Sequence, residues 1–145
     1  MPLVVGPTDD KQPRVSPDGG WLAYVSKELG REEVYVRPLA PSGGRVAVSS
    51  GGGGEPLWSR DGRRLFYRAG SMLMVADSAT TPQLAVGARM VLFEGPFETD
   101  ILHPNYDVLP DGSGFIMLRT NEESRRLVLV INWAAELRQR LGGGK

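Results

Sequence analysis

The phrase Ser16-Pro17-Asp18-Gly19 returns as Ser59-Arg60-Asp61-Gly62, and again as Leu109-Pro110-Asp111-Gly112. Each copy opens into an apolar run: Trp21 to Val25, then Leu65 to Tyr67, then Phe115 to Leu118. The Asp-Gly pairs lie 43 and then 50 residues apart. Asp-Gly suits a tight hairpin turn, because glycine enters positive φ without a Cβ clash. One hairpin-based unit is therefore written three times, and the fold must stack three such units.

A period of this length belongs to the blades of a β-propeller, one four-stranded sheet per repeat. Three blades do not close a ring, for which about 4 to 8 are usual. The predicted fold class is all-β: three four-stranded blades, half of a six-bladed β-propeller, with a short C-terminal helix. Blade one is expected over residues 11–50, with strands at Gln12 to Ser16, Trp21 to Val25, Glu33 to Arg37 and Arg45 to Val48. Blade two, over 53–98, repeats the scheme at Glu55 to Trp58, Arg64 to Tyr67, Met72 to Val75 and Arg89 to Phe93. Blade three, over 102–133, has three recognisable strands: Asn105 to Leu109, Phe115 to Arg119 and Leu127 to Ile131. The run Gly51 to Gly54 is expected to be a flexible connection between blades. Asn132 can cap a helix over 133–141, whose Trp133, Leu137 and Leu141 share one face.

Composition narrows the classes of function. The 17 basic and 17 acidic residues cancel, so no nucleic-acid or anionic-membrane surface is expected. Without cysteine there is no disulfide or thiol chemistry. The longest apolar stretch, Leu127 to Ile131, is too short to span a bilayer, and the first residues lack the features of a signal peptide. As written, the sequence predicts a cytoplasmic protein. A strand-like piece, residues 2–6, precedes the first blade and has no blade of its own. It is expected to pair with the last blade of a second copy near Arg126 to Ile131, so that a homodimer closes the ring through its blade edges.

The repeats resemble TolB-like propeller repeats, written Pro-x-Trp-Ser-Pro-Asp-Gly. Here the pattern reads Pro13-Arg14-Val15-Ser16-Pro17-Asp18-Gly19 and Pro56-Leu57-Trp58-Ser59-Arg60-Asp61-Gly62, while the third copy keeps only the turn. Glu32 to Pro38 and Val130 to Leu137 also resemble blade ends of such proteins. The nearest context is similar to the C-terminal propeller half of bacterial receptor-like serine/threonine kinases and related regulators. No kinase glycine loop or catalytic Asp motif occurs. The resemblance implies a scaffold that binds an unknown ligand or protein.

Aligning the three turns brings equivalent positions into register. Six residues before the turn Asp stand Gln12, Glu55 and Asn105; eight before it stand Asp10, Gly53 and His103; four before it stand Arg14, Leu57 and Asp107. Inner strands of a propeller crowd its central channel, so Gln12, Asn105 and Arg14 are expected to line it. His103, Asp107, Glu55 and Asp10 are candidate ligands for a divalent metal, zinc if the imidazole takes part and calcium if only oxygens do. His103, Asp107 and Glu55 are then the candidate catalytic groups of a channel-metal hydrolase of activated esters, of phosphotriesterase or lactonase type. The plainer expectation is a solvated loop histidine in a non-catalytic scaffold. Asp18, Asp61 and Asp111 are expected to hold their turns and nothing more.

Overall fold

The computed structural model describes residues 8–131, apart from 42, 80–82, 101 and 121–122. The expected strand at 2–6 and helix at 133–141 lie outside the described residues. What is described is all strand and loop, in three antiparallel sheets. The first joins β1 (Asp10–Val15), β2 (Trp21–Ser26), β3 (Glu33–Pro38) and β4 (Val46–Ala47) in that order. The second joins β5 (Gly54–Trp58), β6 (Arg64–Ala69), β7 (Met72–Ala79) and β8 (Ala85–Glu94). The third has three strands, β9 (Tyr106–Val108), β10 (Gly114–Thr120) and β11 (Arg125–Ile131), with β10 in the middle. No helix among the described residues is long and apolar enough to cross a membrane.

The three repeated turns are built alike. In the first, the Gly19 amide donates to the Ser16 carbonyl at 2.9 Å, and Gly19 sits at φ 74°. That is a type I turn closed by a left-handed residue, a conformation glycine takes at least cost. The Asp18 carboxylate accepts from the Gly20 amide and the Ser16 hydroxyl. Asp61 accepts likewise from Ser59 Oγ and the Arg63 amide, and Asp111 from both Ser113 donors. The Ser59 and Ser113 hydroxyls and these amides hold Asp61 and Asp111 below the usual carboxylate range. The three turn aspartates are structural.

Each sheet has two faces, and their contents follow from the period of two along a strand. On the face turned toward the following blade, β2 and β3 place Ala23, Val25, Val34 and Val36; these meet Trp58, Leu65 and Tyr67 of blade two. The same positions in blade two hold Phe66, Leu73 and Val75, which meet Tyr106, Phe115 and Met117 of blade three. Phe115 is fully buried and lies edge-on to Phe66 at 4.9 Å between centroids. Blades therefore cohere by facing apolar surfaces, each large side chain contributing about 2–3 kcal/mol. Trp58 adds a directed contact, its Nε1 donating to the Arg14 carbonyl at 3.0 Å.

Two details differ from expectation. β4 is only two residues long. The Arg89 guanidinium of blade two donates to the Ala47 and Val48 carbonyls, taking acceptors that a longer strand would use. The glycine run is not a loose connection either. Gly52 N donates to Glu33 Oε1 at 2.8 Å, Gly53 N to the Glu32 carbonyl at 2.9 Å, and Gly54 already belongs to β5. A carboxylate from the blade behind pins the segment in place.

Candidate functional site: the polar inner ends of the strands

The innermost strands β1 and β5 both shift register near their start, between Lys11 and Arg14 and between Gly54 and Leu57. At these bulges Gln12 and Glu55 adopt φ of 55° and 51°, a left-handed backbone that residues with a Cβ enter at a cost of about 1–2 kcal/mol. Proline follows each of them, and within sheets proline is confined to edges and bulges. The strained residue turns its side chain away from the sheet, toward the next blade.

What the side chains do there is the same twice over. Gln12 Oε1 accepts from the Glu55 amide at 2.8 Å. Glu55 Oε2 in turn accepts from the Asn105 amide at 2.8 Å, and its Oε1 from the Asp100 amide at 2.9 Å. Gln12 Nε2 donates to the Asp100 carbonyl at 2.9 Å, so both side chains grip one peptide segment. The Tyr106 hydroxyl donates to the Glu55 carbonyl at 2.7 Å. Glu55 is 2 % exposed, and desolvation pushes its carboxyl above the usual range against the pull of the two amides. Burial and the nearby Glu55 carboxylate also raise the Tyr106 phenol well above its usual value. Arg68, equally buried, donates to the carbonyls of Met72, Gly70, Phe97 and Glu98. It clamps the strap from blade two to blade three, and burial lowers its pKa.

Beside this cluster lies a cavity of about 520 Å³ whose wall includes Gln12, Glu32, Glu55, Arg68 and Asp100. A second, of about 560 Å³, is lined by Arg14, Asn105 and Asp107 together with Leu57, Ile116 and Leu118. The expected channel residues thus divide: Gln12 borders the first space, Arg14 and Asn105 the second.

The expected metal set is not gathered. Among the described residues no three His, Cys, Asp or Glu side chains come together as a metal site. Glu55 is inward but has both oxygens occupied by backbone amides. His103, Asp107 and Asp10 are exposed, and Asp107 accepts from the adjacent Val108 amide. Asp100, Arg68 and Tyr106 had not been anticipated. Two prolines at one repeat position were the available signal for the bulges; nothing local marks Arg68, two of whose four acceptor carbonyls, Phe97 and Glu98, lie about thirty residues on.

No family model matches the chain, and no curated protein proved similar to it. Similarity appears at the level of solved structures. The oligogalacturonate lyase of Vibrio parahaemolyticus aligns with a TM-score of 0.61 at 17% identity, over 80% of this chain and 31% of the lyase. TolB of Acinetobacter baumannii aligns at 14% identity over 90% of this chain and 43% of its own, with a TM-score of 0.44. The chain spans under half the length of either. The resemblance to the propeller halves of receptor-like kinases rests on sequence alone. The fold is that of β-propeller blades, as in the lyase.

Proposed function

We propose that this chain is a non-catalytic half-propeller that completes its ring with a second copy and serves as a binding scaffold for a ligand or protein at the channel mouth. One observation carries the reading. The inward polar groups that would run chemistry are spent on joining blades: Glu55 satisfies two amides, and Gln12 satisfies an amide and a carbonyl. The open space beside them is walled by Arg31, Glu32, Thr99 and glycine backbone, polar groups that a ligand can meet. The test is a hydrolase assay with p-nitrophenyl acetate and paraoxon, with and without zinc, on the native protein and on His103→Ala. Rates at the buffer background support the scaffold. Turnover that His103→Ala abolishes overturns it in favour of the channel-metal esterase.

A further inference from the structure

Blade three presents to solvent the face that blades one and two bury against a successor. Taking Leu22, Leu65 and Phe115 as equivalent, each four residues after its turn Asp, the positions of Val34 and Val36 are filled by Leu127 and Leu129. Val34 and Val36 are 0% and 1% exposed, whereas Leu127 and Leu129 are 76% and 53%. Ile131 continues the exposed row, and Ile116 and Leu118 lie beside it on β10.

The polar ladder stops at the same place. Gln12 receives the amide of its counterpart in the next blade, Glu55; Glu55 receives that of Asn105. Asn105 holds the third rung, and its side chain makes no hydrogen bond among the described residues. A fourth blade would offer its own amide there.

Charge identifies what that blade is. Between blades one and two, Gly52 and Gly53 donate to the Glu33 side chain and the Glu32 carbonyl. Gly52 and Gly53 stand nine and eight residues before their turn Asp, where blade one has Asp9 and Asp10, both exposed. Ser26 pairs with Glu33 as Arg119 pairs with Arg126, and both Ser26 and Arg119 stand eight after the turn Asp. Blade three therefore carries Arg125 and Arg126 in place of Glu32 and Glu33. Set blade one after blade three, and Asp9 and Asp10 come against Arg126 and Arg125. Val15, 54% exposed, then takes the place of its counterpart Trp58 at the blade junction. Leu22, Tyr24 and Tyr35 are already withdrawn from solvent, so this β1 rim makes the new contact.

We infer that the outer face of blade three is an interface for blade one of a second copy, with Asn105 accepting the Gln12 amide of the partner and Arg125 and Arg126 pairing with its Asp10 and Asp9. Two such contacts related by a twofold axis close the ring. The inference rests on the scaffold reading above and specifies its joint.

Light scattering on the full chain is the test, with expected mass twice 15.8 kDa. Asp9→Arg with Asp10→Arg, and separately Arg125→Asp with Arg126→Asp, should each weaken the dimer at least tenfold. Combining all four should restore it. Arg125 also pairs with Glu98 at 3.2 Å, but a surface ion pair is worth about 0–1 kcal/mol, so each double variant remains folded. Asn105→Ala should weaken it about threefold to tenfold, the worth of one hydrogen bond. A dimer indifferent to both charge reversals, as from two blade-three faces packed back to back, overturns this joint and leaves self-assembly standing. A monomeric native protein overturns both.

Discussion

Replacing Glu55 by Gln is the sharpest probe of the blade joint, because it keeps shape and removes one acceptor. The carboxylate serves the Asp100 amide at 2.9 Å with one oxygen and the Asn105 amide at 2.8 Å with the other. A carboxamide has one oxygen; its NH₂ must face the remaining N–H, donor against donor. Losing that bond and stranding a buried amide costs about 1–3 kcal/mol. Removing the buried charge offsets part of this, since the folded carboxyl already titrates above its usual range. We expect a net loss of about 1–2 kcal/mol at pH 7, read as a lower urea midpoint with unchanged slope by tryptophan fluorescence. The pH dependence has a definite sign. A carboxyl raised by folding binds its proton more tightly in the native state, so the native state gains as pH falls through the folded value. The advantage of Glu55 over Gln should therefore widen from neutral pH downward and level off below about 4.3, the unfolded pKa. Equal stability at pH 7, or an advantage that shrinks on acidification, would refute the reasoning.

Tyr106→Phe leaves the Glu55 carbonyl without its 2.7 Å donor and should cost about 1–2 kcal/mol in the same urea titration. Arg68→Lys should cost about 2–4 kcal/mol, because a point ammonium cannot serve four carbonyls spread around a planar fork; proteolysis near Phe97 and Glu98 should appear first. Phe115→Ala should cost about 3–5 kcal/mol by opening a cavity between blades two and three, measured as a drop in melting temperature. Treatment with EDTA should leave the melting temperature of the native protein unchanged within a degree or so, since binding at a metal site would raise it by linkage.

The sequence carried the fold well because its signal is repeated. Three Asp-Gly turns each set a hairpin, and the apolar runs after them could only be strands of successive sheets. The site was harder to read. Aligning the turns did bring Gln12, Glu55 and Asn105 to one position, and that position is where the blades are tied. What the alignment does not carry is direction: the left-handed backbone of Gln12 and Glu55 swings their side chains out of the strand's alternation, toward the next blade. Glu55, expected as a channel carboxylate, accepts from two main-chain amides. His103 is the one imidazole in the chain, and among the described residues no three His, Cys, Asp or Glu side chains come together as a metal site.

The strained residues at Gln12 and Glu55 give the molecule a direction. Each has its own amide or its side chain committed across a joint, and the commitment always runs from an earlier blade to a later one. Glu55 is held in its unfavourable backbone by Gln12, which a ribosome delivers first. Glu55 thus emerges with its brace already made, whereas Gln12, the first rung, finds its partners only in later segments. The same polarity makes loss from the front costly: a proteolytic cut that removes β1 would free Glu55 to relax, and the grip on Asp100 and Asn105 would fail after it.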